Sequence, residues 1–183
     1  MTGAMASEGS ARHPAGRTAL VIKVPEAEPL VGEWRRRFDP AAGTGVPAHV
    51  SVLYPFLDHP RIDGSVAEAL GESLGAHAPF ELAFRRCGRF PAMLHLVPEP
   101  DGPLRALTRG VADRWPEAQP YGGRYADAAP HLTVAYSPDP GVFDTIEADL
   151  TAGLPFTTRV TAVQLVVWDG AHWHDAETFP LRG

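Results

Sequence analysis

The sequence predicts an α+β fold: two largely antiparallel sheets around a central groove, with helices outside. Three observations lead there. Short β-branched segments alternate with amphipathic helical ones, yet some strands also follow one another directly, which disfavours a doubly wound parallel sheet. One segment is repeated about half a chain later. Finally, 183 residues with 44% hydrophobic and 21% charged side chains suit one globular domain or two small lobes sharing a core.

The elements follow from periodicity. Thr18 to Val24 is β-branched and stops at Pro25, as a strand does. Glu28 to Phe38 carries Leu30, Val31, Trp34 and Phe38 at helical spacing, and Asp39-Pro40 ends it. Ala48 to Phe56 alternates Val50 and Val52 with His49 and Ser51, giving a strand with two unlike faces. Ser65 to His77 reads as a helix, Phe80 to Phe90 and Met93 to Val97 as strands, and Leu104 to Trp115 as a third helix. After a loop rich in Pro, Gly and Tyr come a strand from His131 to Tyr136 and a helix from Val142 to Leu150. Phe156 to Trp168 and His172 to Phe179 form the last hairpin, turning at Asp169-Gly170. Residues 1–17, rich in Ala, Gly and Ser, are expected to be a disordered leader, and 18–183 a single bilobed domain.

The repeat carries the chemistry. Pro47-Ala48-His49-Val50-Ser51-Val52-Leu53-Tyr54 matches Ala129-Pro130-His131-Leu132-Thr133-Val134-Ala135-Tyr136, with the two histidines 82 residues apart. On a strand, a histidine and the hydroxyl residue two positions on share a face, about 6–7 Å apart. Val50, Val52, Leu132 and Val134 turn the other way, into core. If the lobes pack about a pseudo-two-fold axis, two imidazoles and two hydroxyls surround one small volume. That set suits phosphodiester cleavage. A neutral histidine takes a proton from water or a ribose hydroxyl while a protonated one gives a proton to the leaving oxygen. Ser51 and Thr133 would hold non-bridging phosphate oxygens. One His-x-Ser/Thr is expected about once by chance in such a chain, so the weight rests on two copies at matched positions. The plain alternative is two histidines capping hydrogen bonds on a half-exposed sheet.

On these two motifs, their separation and the order of elements from about Thr18 onward, the chain resembles the two-histidine (2H) phosphoesterase superfamily, which includes the RNA 2′,3′-cyclic phosphodiesterases also called 2′-5′ RNA ligases. The resemblance implies a bilobed fold with both motifs lining a groove. It implies His49 and His131 as the acid-base pair and Ser51 and Thr133 as phosphate ligands. Ser51 stands where many members carry Thr. The acid-base scheme itself needs no metal or cofactor, and the resemblance implies a nucleotide or RNA end as substrate.

Other features bound the reading. The net charge of −6 and the lack of a basic block disfavour long nucleic acid and permit a small anionic substrate. One cysteine, Cys87, excludes an intrachain disulfide and fits a cytoplasmic protein. No stretch reaches membrane-spanning length, and a monomer is the default expectation. Tyr121, Arg124 and Tyr125 sit in the loop before the second motif, where Arg124 could pair with phosphate and either tyrosine could stack a base, or all three could be ordinary surface. Tyr54 and Tyr136, five residues past each histidine, fall on the opposite face unless a bulge intervenes. His172 and His174 share a strand face with metal-like spacing but no evident third ligand, so a solvated hairpin edge is expected. His95 reads as strand surface or groove wall, and Trp34, Trp115 and Trp168 as core. A non-catalytic nucleotide-binding module on the same fold is the competing function.

Overall fold

A computed structural model describes residues 13–125 and 128–183. Eight strands and four α-helices occur among them: β1 (Thr18–Lys23), α1 (Glu28–Phe38), β2 (His49–Leu53), α2 (Gly64–Gly75), β3 (Phe80–Phe90), β4 (Met93–Glu99), α3 (Gly102–Arg114), β5 (Leu132–Tyr136), α4 (Pro140–Leu150), β6 (Phe156–Val160), β7 (Ala162–Trp168) and β8 (Trp173–Pro180). Local chemistry sets the ends. Helix α1 stops where Asp39 turns extended ahead of Pro40. Helix α2 begins after Asp63, whose carboxylate accepts from the Ser65 and Val66 amides. Helix α4 starts two residues before its first apolar position, because Asp139 caps it and Pro140 is preset for the first turn.

All strand pairings are antiparallel, in the order β6-β3-β4-β5-β2-β1-β7-β8. The two sheets expected from the repeat are thus two four-stranded halves of one ladder. They are joined where β2 meets β5, at the single register pair Val50–Leu132. The halves exchange helices: α1, which connects β1 to β2, packs on β5, while α3, which connects β4 to β5, packs on β2. Val50, Val52, Leu132 and Val134 enter one apolar core with Val31 of α1 and Leu104, Leu107 and Val111 of α3. That exchange gives the two motif strands a common core behind them and leaves their other face open.

Three expectations need correction. The segment Phe156 to Trp168 is two strands, not one. Strand β6 pairs with β3 at one edge of the sheet and β7 with β1 in the other half, with only Thr161 between them. One residue spans about 7 Å between its neighbours. The sheet therefore curls until its first edge reaches the far half, and the chain crosses there without a Gly or Pro to announce it. Of the stretch expected to be a disordered leader, residues 1–12 lie outside the described residues, whereas 13–17 pack. The Gly16 amide donates to the Trp168 carbonyl at 2.7 Å and the Trp168 amide to the Arg17 carbonyl at 2.8 Å, extending the β1–β7 pairing. Trp115 is core, edge-on to Phe56, and Trp34 packs against it with its indole N–H on Asp149. Trp168, in contrast, lies outside the core, beside Trp173 and His13. Among the described residues no helix is long and apolar enough to cross a membrane.

Candidate active site

The Val50–Leu132 pair fixes the geometry of both motifs. Continuing that antiparallel register by one residue each way sets His49 across from Thr133 and Ser51 across from His131. Four polar side chains thus occupy one small square on the open face. The histidines lie on a diagonal of it, where backbones are about 7–8 Å apart. Strands β2 and β5 overlap only at their N-terminal ends, so the square sits at the seam between the halves.

Each histidine is tethered in the same way. Nδ1 of His49 lies 2.8 Å from the Pro47 carbonyl, and Nδ1 of His131 lies 2.8 Å from the Ala129 carbonyl. A carbonyl only accepts, so both Nδ1 atoms carry hydrogen and each neutral ring presents its Nε2 lone pair. Behind His49, buried Arg35 donates to the Asp39 carboxylate at 3.1 Å and to the Val46 carbonyl at 3.3 Å. Glu28 accepts from the Ala48 amide at 2.5 Å. Helix α1 therefore positions the approach to the first motif. Burial pushes the His49 pKa down to about 4, against the Pro47 hydrogen bond, and the charges of Arg35 and His131 push the same way. Burial also lowers His131, opposed by its bond to Ala129. The effect of His131 on His49 is what two ionisable rings on one small patch produce.

Matching bulges shape the rest of this face. Leu20 pairs with Leu53 but Val21 with Ser51, so Val52 is the extra residue in β2. Leu94 pairs with Ala135 but His95 with Thr133, so Val134 is the extra residue in β5. Each bulge falls just after the motif's hydroxyl residue and reverses the alternation beyond it. Val52 with Leu53, and Val134 with Ala135, all point into the core. Tyr54 and Tyr136 consequently return to the open face. Tyr54 packs with Val21 and Trp173 there, and Tyr136 pairs with Met93, whose sulfur lies 3.5 Å from the Thr133 hydroxyl. Phe56 is core.

His95 is a wall of the recess that its sequence context understated. It lies opposite Thr133, is only 5% exposed, and its ring is 5.6 Å from that of His131. Phe90 stacks on it at 4.3 Å and meets His131 edge-on at 5.4 Å. Burial, then the charges of His131 and Arg86, lower the His95 pKa to about 4. The available signal was a polar residue between Leu94 and Leu96 on a strand that pairs with a motif strand, which only the pairing reveals.

The loop before the second motif is docked past the end of β2. The Tyr121 amide donates to the Tyr54 carbonyl at 2.6 Å, and the Tyr121 and Tyr125 rings meet edge-on at 5.8 Å. Tyr125 is 43% exposed, and Arg124 is exposed beside it. This loop is tied to the first motif's strand rather than built into the polar square. His172 and His174 are both exposed, and His174 Nε2 lies 2.6 Å from the Asp169 carboxylate. Among the described residues no group of three or more His, Cys, Asp or Glu side chains is placed to hold a metal ion. Cys87 is partly buried, and burial raises its thiol to about 11.

Comparisons with known proteins agree with this architecture. E. coli LigT complexed with 3′-AMP superposes with a TM-score of 0.59 at 16% identity, covering 93% of this chain and 100% of that one. A structure described only as a phosphoesterase gives 0.60 at 16% identity over the same shares. TT0787 of Thermus thermophilus gives 0.56 at 23% identity, covering 91% and 98%. At these identities the likeness is one of fold. A search of curated proteins returns no match. The family model of the 2′-5′ RNA ligase superfamily matches residues 23–172, which include both motifs and most of the sheet. The chain belongs to the 2′-5′ RNA ligase superfamily, the two-histidine phosphoesterases.

Proposed function

We propose that this protein is a phosphoesterase that cleaves, or reversibly forms, a 2′,3′-cyclic or 2′-5′ phosphodiester in a small nucleotide or RNA-end substrate. His49 and His131 are its acid-base pair. The observation that carries this reading is the equal tethering of the two rings, Nδ1 to the carbonyl two residues upstream, on either side of one polar square. A phosphate seated between them meets an Nε2 from each half. In hydrolysis, one neutral imidazole takes a proton from the attacking water as its oxygen bonds to phosphorus. The other, protonated, delivers its proton to the departing ribose oxygen as that P–O bond breaks. Ser51 and Thr133 donate hydroxyl hydrogens to the non-bridging oxygens, where charge accumulates. A pseudo-two-fold pair would set base and acid on opposite sides of phosphorus, as in-line displacement requires. Each imidazole can fill either role, which suits a reaction that runs in both directions.

The scheme assigns no step to a metal, and the test includes that point. A panel of 2′,3′-cyclic nucleotides and short 2′-5′-linked oligonucleotides, assayed in chelator, should show turnover by the wild type. His49→Ala and His131→Ala should each lose it. Turnover that survives both substitutions overturns the mechanism, and turnover that chelator abolishes overturns its metal independence.

A further inference from the structure

The open face of the first half carries a feature that the two motifs do not explain. Ala19, Val21 and Val166 form a small apolar cluster apart from the main core, with Tyr54 and Trp173 packed against it. Trp168 adjoins Trp173, with ring centroids 5.6 Å apart, and Tyr54 meets Trp173 edge-on at 6.3 Å. This aromatic nest holds the imidazole of His13. That ring lies 5.8 Å from Tyr54 and 6.4 Å from each tryptophan. The Tyr54 hydroxyl is 3.2 Å from a His13 ring nitrogen, and the Trp168 indole N–H donates to the His13 carbonyl at 3.1 Å. The nest is continuous with the polar square, because Val21 is the register partner of Ser51. Along β2, Tyr54 stands three residues beyond Ser51, about 10 Å at strand rise and less across the bulge. That is the reach of one nucleoside from its phosphate.

We propose that the Tyr54–Trp168–Trp173 nest is a nucleobase subsite, and that His13 is the ring it holds when no base is bound. This inference rests on reading the polar square as a phosphate site. The occupant argues for the ligand. A flat, nitrogen-bearing aromatic ring already fits among the three side chains, with a hydroxyl at its edge. A nucleobase offers the same combination with a larger face. His13 is displaceable: its ring is only half-buried, and Pro14 and Ala15, which join it to Gly16, are exposed. The substrate is accordingly a phosphodiester with a base on the first-motif side, and His13 competes with it.

The test compares binding of 3′-AMP and of ribose 5-phosphate, by calorimetry, to the wild type, His13→Ala, Trp173→Leu and His131→Ala. The expected result is that 3′-AMP binds more tightly than the sugar phosphate. His13→Ala should widen that ratio several-fold, and Trp173→Leu should narrow it by at least about fivefold, the loss of one stacked base. His13 lies outside every strand and helix, so its variant tests the proposal even if Trp173→Leu fails to fold. An unchanged ratio in His13→Ala, with or without a folded Trp173→Leu, overturns the subsite. His131→Ala separates the two readings. Sugar-phosphate binding that is indifferent to His131 counts against the phosphate site, whereas a ratio indifferent to His13 counts against the nest alone.

Discussion

His49 and His131 stand on different halves of the sheet yet make one and the same hydrogen bond, each from Nδ1 to the carbonyl two residues upstream at 2.8 Å. Equal tethers leave equivalent Nε2 atoms, and in the proposed mechanism each ring carries one of the two proton transfers. His49→Ala and His131→Ala should each lower kcat by about 10²–10⁴-fold, the range for one positioned acid or base. The double variant should lose little more than either single one, because the pair acts as a unit. Multiplicative losses in single-turnover assays would show two independent contributions instead.

The pH dependence follows from burial. The proposed mechanism requires one ring neutral and the other protonated in the free protein. Burial lowers both rings, His49 to about 4, so that state is most populated on the acid side of the ordinary histidine value of 6.5. The optimum of kcat/KM should lie below 6.5. A phosphodiester anion between the rings favours imidazolium, so the optimum of kcat should lie at higher pH than that of kcat/KM. A kcat/KM optimum above pH 7 would contradict this.

Stability should move with the same groups. His49 and His95 fall from 6.5 to about 4 on folding. Between those values the unfolded chain binds protons that the folded chain refuses. Stability present above pH 6.5 is therefore lost progressively as pH falls toward 4. Urea midpoints should drop over that window, and less steeply in His95→Leu. His95 is the cleaner probe, since its buried Nδ1 has no hydrogen-bond partner among the described residues.

Gly88 keeps the third histidine in place. It is the register partner of His95, and a Cβ there would lie 2.5 Å from His95 Nε2. Its backbone conformation is one that alanine adopts, so Gly88→Ala acts through that clash. The ring must shift, taking with it the Phe90 stack that borders His131. Misplacement of a reacting group by about 1 Å costs up to about 100-fold. Gly88→Ala should reduce kcat within that range while leaving the far-ultraviolet circular dichroism unchanged. Undiminished kcat would show that the wall does not position His131.

How far the sequence carries this site depends on which residues interact within a strand and which across strands. His49, Ser51, His131 and Thr133 were legible because period two is local and the repeat marks both copies. Helix α1 was legible to the residue because Leu30, Val31, Trp34 and Phe38 are spaced on one face and Asp39-Pro40 ends it. His95 was legible only as one of two alternatives, surface or groove wall, and Trp168 was placed wrongly in the core, because their surroundings come from strands and a terminal stretch distant in sequence. The break at Thr161 was invisible for a related reason. Curling of the whole sheet places that turn, and no local residue signals it. Tyr54 and Tyr136 fell between: alternation placed them on the core side, and two bulges at valines indistinguishable from their neighbours put them on the other.

Thr108 offers a way to test the first of those bulges. Its hydroxyl, on α3, lies 2.6 Å from the carbonyl of Val52, the extra residue of β2, and 3.1 Å from the Leu104 carbonyl of its own helix, and its one hydrogen goes to the nearer. A bulge frees backbone groups from the ladder, and this carbonyl recovers a partner from the helix that the other half contributes. Thr108→Val keeps the shape and β-branching but removes the donor. It should cost about 1–3 kcal/mol, the penalty for leaving a buried acceptor unsatisfied. Because the bulge turns Tyr54 outward, the same variant should disturb the Tyr54–Trp173 contact and hence tryptophan fluorescence. A change in stability without any change in fluorescence would mean that the bulge persists without Thr108, held by its pairing with β1 alone.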